Sequence, residues 1–166
     1  MKRIITAAAA LLLLTLPLSG EDLKDGFSTA GLVIFQSAQS GGAGEIGFPL
    51  YRNDSFSLRN HIQLSGYGRE DGGAMVLSDK LLFGGFGDRE IRTYAFIQGG
   101  FGLWGGENKG LAEAPFYGEF LGGGGMDLYT TENFAFFVEL GGGVLYWGEA
   151  PAGTAHLSAG FRSFLN

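Results

Sequence analysis

"FLGGGGMDLY", residues 120–129, sets four consecutive glycines between two apolar, aromatic-bearing ends. A hinge, a phosphate cradle and ordered structure would each accommodate such a run, and choosing among them decides the fold. Period-two alternation carries straight through it. Phe116, Phe120, Met126 and Leu128 fall on one parity, and Tyr117, Glu119, Asp127 and Tyr129 on the other, as on the two faces of a strand. The run therefore reads as the middle of a strand, with a second glycine run, "GGG" at 141–143, in the strand that follows. Missing side chains at such a place permit sharp coiling and leave room for aromatics of adjacent strands.

The same alternation extends in both directions. Apolar residues recur at Ile46, Phe48 and Leu50; at Phe56, Leu58, Ile62 and Leu64; and at Ile91, Ala95, Ile97, Phe101 and Leu103. They recur again at Phe134, Phe136, Val138, Leu140, Val144 and Tyr146, and at Ala155, Leu157, Ala159, Phe161 and Leu165. "GFSTAGLVIFQSA" is apolar on both parities, and "AMVLSDKLLFGGF" changes parity near Asp79 and Lys80, which a bulge would accommodate. Eight strands are expected, over 26–37, 43–51, 55–67, 74–86, 90–103, 115–129, 133–147 and 154–165, with no room for a helix between any two.

The connections alternate in character. "RND", "GDRE" and "TTEN" are tight polar turns, whereas "QSAQSGG", "GYGREDGGA", "WGGENKGLAEAP" and "WGEAPAG" are longer and glycine-rich. All the long loops thus lie at one end of a meander. Trp104 and Trp147 stand at loop bases and are expected to be exposed. About ten residues at ~3.3 Å each, tilted by ~45°, rise roughly 23 Å, close to the ~25 Å apolar band of an outer-membrane barrel.

The parity opposite the phenylalanines carries Glu45, Arg59, His61, Gln63, Arg92, Gln98, Glu119, Asp127, Glu139, His156, Ser158 and Arg162. In a soluble barrel these groups would be solvated outside; in a membrane barrel they are enclosed and must be paired. The enclosed reading predicts an interior ion-pair cluster of Glu45, Arg59, Arg92, Glu119, Asp127, Glu139 and Arg162, with Glu139 and Arg162 as its leading pair. All of these but Glu119 fall in the half nearer the tight turns. Arginine suits bidentate pairing with carboxylates. Phe56, Phe116, Phe134, Phe136, Tyr146 and Phe161 lie near strand ends on the apolar parity, where interfacial girdles sit.

The first twenty residues, "MKRIITAAAALLLLTLPLSG", join Lys2 and Arg3 to an apolar run and a Pro17, Ser19, Gly20 ending. They read as a removable signal peptide, leaving 21–166 as one barrel domain. The chain carries a net charge of −6, and nucleic acid is not expected as a partner, because phosphate binding needs clustered positive charge. There is no cysteine, so no disulfide holds the exported part. The 31 glycines and 15 phenylalanines at only 17% charge argue against a disordered segment.

Taken together, the leader, eight antiparallel strands, short turns at one end and charges on the non-aromatic face resemble the small outer-membrane barrels of the OmpA/OmpX type. The C-terminal "HLSAGFRSFLN" is similar to the aromatic-ended last strand of that family, with Phe164 followed here by Leu165 and Asn166. The resemblance implies an all-β, eight-stranded, up-and-down antiparallel transmembrane barrel in the cell outer membrane. It implies contacts with outer-membrane lipid and, during insertion, with the barrel-assembly machinery. A monomer with a side-chain-filled interior, no cofactor and a non-enzymatic structural or surface role is expected.

Several motifs point elsewhere. "GAGEIG" (42–47) and "GFGLWG" (100–105) satisfy G-x-G-x-x-G but lead into no helical spacing, as a dinucleotide site requires. His156 and Ser158 share a face two residues apart, which resembles the His-x-Ser of the lipid A deacylases, with Glu139 as a candidate orienting carboxylate. That family's pair faces lipid, whereas this one shares the polar parity with Arg162; a hydrogen-bonded interior His-Ser pair is the competing reading. His61 and His156 lie on non-adjacent strands, so no metal site is expected, and "GREDGG" lacks the ligand spacing of a calcium loop. An exported soluble barrel binding a small apolar ligand, as lipocalin-like barrels do, is the remaining alternative.

Overall fold

The computed structural model describes residues 27–37, 39–53, 56–69, 72–87, 90–106, 116–146 and 151–165. The signal peptide read at 1–20, Trp147 and parts of the loops and of two tight turns lie outside the described residues. Eight strands make up the fold: β1 (Phe27–Gln36), β2 (Gln39–Arg52), β3 (Ser57–Arg69), β4 (Gly72–Gly87), β5 (Ile91–Gly106), β6 (Phe116–Thr131), β7 (Phe134–Tyr146) and β8 (Pro151–Leu165). Each pairs antiparallel with the next, and β1 pairs with β8 to close the barrel. Closure removes every free strand edge, so the ladder satisfies the backbone without water. Several strands run further into the glycine-rich connections than alternation alone predicts.

The four glycines lie in mid-strand. Gly122 and Gly123 stand opposite Ile97 and Phe96 on one side and opposite Gly142 and Gly141 on the other. Side chains are excluded here by backbone: a Cβ on Gly123 would lie 2.7 Å from Gly141 Cα, and one on Gly143 2.8 Å from Leu121 Cα. Two runs of glycine thus let β6 and β7 coil against each other more closely than Cβ atoms allow.

Three register shifts lie near the tight-turn end: between Pro49 and Tyr51, between Gly84 and Phe86, and between Tyr129 and Thr131. The first corrects the expected placement of Leu50. Pro49 has no N–H to give the ladder, and the bulge beside it turns Leu50 inward while Ile46 stays outside. The second corrects the parity change expected near Asp79 and Lys80. There β3 and β4 pair without interruption from Ser57↔Gly84 to Arg69↔Gly72, and the bulge falls instead at Gly85, whose φ of 102° favours glycine.

The apolar face points outward. Phe120 and Leu140 are 63% and 62% exposed, whereas Glu139 and Arg162, on the opposite parity, are 0% exposed. This overturns the soluble-barrel alternative, in which the charges would be outside and the apolar residues would line a ligand cavity. Aromatic contacts gather near the tight-turn end, with Phe27 against Phe48 and Phe134 against both Phe136 and Phe161. Phe116 and Tyr146 meet at the loop end. Trp104, expected to be exposed, is half-buried and packs against the interior apolar cluster.

Candidate functional site: the barrel interior

Alternation delivers one side chain in two to a lumen narrow enough for residues of opposite strands to touch. Nearer the tight turns, Asp127 on β6 accepts from Arg59 Nη2 on β3 at 2.9 Å and from Arg162 Nη1 on β8 at 2.5 Å. Arg162 Nη2 donates to Glu45 Oε1 on β2 at 2.8 Å, and His61 Nδ1 lies 2.8 Å from the same oxygen. Lys80 on β4 bridges Glu45 Oε2 at 3.0 Å to both oxygens of Glu139 on β7, at 3.1 and 3.0 Å. Tyr94 on β5 and Ser158 on β8 donate to Glu139 at 3.0 and 2.8 Å. Every strand except β1 contributes to this continuous network.

Its charges balance. Glu45, Asp127 and Glu139 face Arg59, Lys80 and Arg162, and all six are buried. Buried ions persist only when paired and hydrogen-bonded. Cation–π contacts add to the pairing, with Arg162 4.4 Å from the Phe137 ring centroid and Arg59 5.5 Å from that of Tyr94.

The network differs in membership from the expected cluster. Glu139 and Arg162 do not bond each other; in a lumen this narrow Arg162 reaches across to β2 and β6, and Lys80 takes Glu139. Arg92 lies over the Tyr129 ring at 5.0 Å. Lys80 and Tyr94 join it unforeseen, and His61 and Ser158, read on the enclosed parity but outside the cluster, join it as well. The missing signal was the register of β4: once its pairing is continuous, Lys80 must face the lumen.

Glu119 is separate. On the inward parity of β6, the buried Leu121 stands between Asp127 and a second polar layer nearer the long loops. There Glu119 Oε1 accepts from Ser78 Oγ and Gln98 Nε2, both at 2.8 Å. Its Oε2 accepts from Tyr67 and Tyr117 hydroxyls at 3.3 Å and from Gln36 Nε2 at 3.5 Å. Glu119 makes no ion pair among the described residues, which corrects its assignment to the cluster.

His156 and Ser158 both face inward, but they do not hydrogen-bond each other. Ser158 Oγ gives its proton to Glu139, and neither ring nitrogen of His156 has a partner among the described residues. The His156 ring instead meets Phe96 edge-on, with centroids 6.0 Å apart. No group of three His, Cys, Asp or Glu side chains suited to a metal ion occurs among the described residues.

An outward apolar belt, a closed antiparallel sheet and enclosed paired charges define the eight-stranded transmembrane β-barrel of outer-membrane type. The chain has the fold of the N-terminal β-barrel domain of Pseudomonas aeruginosa OprF, with 21% identity, a TM-score of 0.53, and coverage of 83% of this chain and 97% of that one. It is similar in fold also to Ail, the attachment invasion locus protein of Yersinia pestis, at 14% identity and a TM-score of 0.50, covering 83% of this chain and 99% of Ail. A de novo designed transmembrane β-barrel matches at 12% identity and a TM-score of 0.50, over 88% of this chain and 100% of the design. No family model and no curated protein matches the chain.

Proposed function

We propose that this chain is a non-enzymatic integral protein of the outer membrane whose lumen is closed by its own side chains, serving envelope structure or presenting its long loops outside. One observation carries the reading: a charge-balanced network joins seven strands across the lumen beneath an apolar, lipid-facing exterior. The network cross-links the wall and occupies the space a diffusion path would need. Outer-membrane lipid is its surrounding partner, and the barrel-assembly machinery its partner during insertion. A closed sheet with no free edge supports a monomer.

Two measurements test this. In planar bilayers the refolded barrel should show no stable conductance steps; regular open-channel steps would overturn the closed-lumen reading. Lipid A from cells making the protein should be unchanged in acylation, and unchanged again with His156→Ala or Ser158→Ala. Loss of an acyl chain that depends on either residue would replace the structural role with an enzymatic one.

A further inference from the structure

The second polar layer has a charge imbalance that the first does not. Below it, three carboxylates meet three cations. Here Glu119 is 6% exposed and, among the described residues, has only neutral donors around it: two phenols, two amides and one hydroxyl. A buried carboxylate left without a positive partner is costly. Three of its five donors also stand 3.3 to 3.5 Å from Oε2, at the long limit of a hydrogen bond.

Polar atoms without partners occur on Gln98, which bonds the carboxylate, and on Gln39, which bonds two of its other donors, Gln36 and Tyr117. Gln98 gives its amide N–H to Glu119, so its own Oε1 lies beside the carboxylate, and that oxygen has no partner. Gln39 donates to Gln36 Oε1 at 2.5 Å and to the Tyr117 hydroxyl at 2.6 Å, and its Oε1 is likewise unpartnered. His156, unpartnered at both nitrogens, stands opposite Gln36 in the β1–β8 ladder. Gln39, Gln98 and His156 are each more than nine-tenths buried. Gly100 makes room for the carboxylate itself: a Cβ there would run into Ser78 Oγ and lie 2.9 Å from both Cγ and Oε1 of Glu119. Native interiors match most buried polar atoms, and the Gln39 and Gln98 amide oxygens are acceptors suited to an ion or water.

We propose that the loop-end half of the lumen is a binding site for a small singly charged cation, held by the Glu119 carboxylate with the Gln98 and Gln39 amide oxygens. One negative charge is neutralised by one positive charge, and neutral oxygen ligands suit a hard ion that keeps part of its water. The two tyrosines close over the site, with ring centroids 6.1 Å apart and both hydroxyls directed at Glu119 Oε2. Glu119 lies on the long-loop side of Asp127 along β6, so the cation enters from the loop end.

Thermal unfolding of the detergent-refolded barrel, followed by its gel mobility, tests the site with NaCl and KCl against tetramethylammonium chloride at equal ionic strength. A ligand that binds only the folded state raises the midpoint by mass action. Na+ or K+ should give a saturable rise that the bulky ion does not. Glu119→Gln should abolish that rise, while Glu132→Gln, in the exposed turn before β7, should retain it. Equal responses to all three salts, or an undiminished response in Glu119→Gln, would overturn the proposal. If Glu119→Gln fails to assemble, Gln98→Met decides: the half-saturating salt concentration should increase several-fold, and an unchanged value counts against the site. Infrared spectra supply the competing outcome, since a protonated-carboxyl band present at neutral pH in Na+ or K+ and lost in Glu119→Gln would show that a proton, and no cation, neutralises Glu119.

Discussion

Arg162 is 0% exposed and spans two carboxylates, Asp127 and Glu45, while its guanidinium lies over Phe137. Replacing it by methionine keeps most of the volume and leaves three buried carboxylates, Glu45, Asp127 and Glu139, with two cations, Arg59 and Lys80. Breaking a buried pair in this way costs about 3–5 kcal/mol, so Arg162→Met should unfold at markedly lower urea concentration than the unmodified barrel. A midpoint within error of the unmodified one would show that the network carries little stability. On the outward parity, Asn60 donates to the Asp79 carboxylate in a polar pair set among apolar neighbours. Removing both partners of a hydrogen bond is far cheaper than removing one. Asp79→Val alone should therefore destabilise, and Asn60→Val with Asp79→Val should recover most of the loss in the same urea titration.

The contact between β6 and β7 depends on the absence of side chains. A Cβ on Gly123 would meet the Leu140 carbonyl and Gly141, which belong to the neighbouring backbone and cannot rotate away. A Cβ on Gly99, in β5, meets nothing within 4 Å. Gly123→Val should thus abolish the heat-modifiable folded band on a detergent gel, whereas Gly99→Val should preserve it. Equal behaviour would mean that the glycine run is not needed for close coiling. Sequence alternation already located this run in mid-strand, because Phe120 and Met126 kept the same parity across it. It could not show the contact with Gly141–Gly143, since strand register is set by turns and bulges as well as by pattern.

The whole barrel is oriented by its belt. Leu140 is 62% exposed at the middle of β7, where the apolar band is deepest. Arginine at the midplane of a membrane barrel costs about 2–4 kcal/mol and much less near the interfaces. Leu140→Arg should therefore lower the folded fraction after refolding into phospholipid vesicles far more than Phe136→Arg, two pairs nearer the turn. The reverse order would place the membrane at another height on the barrel. Boiled and unboiled samples of the unmodified protein should migrate differently, because a closed ladder of eight strands survives in detergent until heated.

The period of two, with the alternation of short and long connections, determined eight strands in a meander and which side chains share a face, while the exposure of Phe120 and Leu140 and the burial of Glu139 and Arg162 decided which face meets lipid. Parity is a local property of the extended chain, so it is readable residue by residue. Which enclosed charges meet is not local. Lys80 entered the network, Glu139 bonded it in place of Arg162, and Glu119 remained apart, because bulges at Leu50, Gly85 and Thr130 and the tilt of the strands set the height and reach of each side chain. Only closure of the sheet into a narrow barrel brings the Lys80 ammonium of β4 to 3.0 Å from the carboxylates of Glu45 on β2 and Glu139 on β7, and such reach across the lumen decides which ions pair and which carboxylate is left to find a partner.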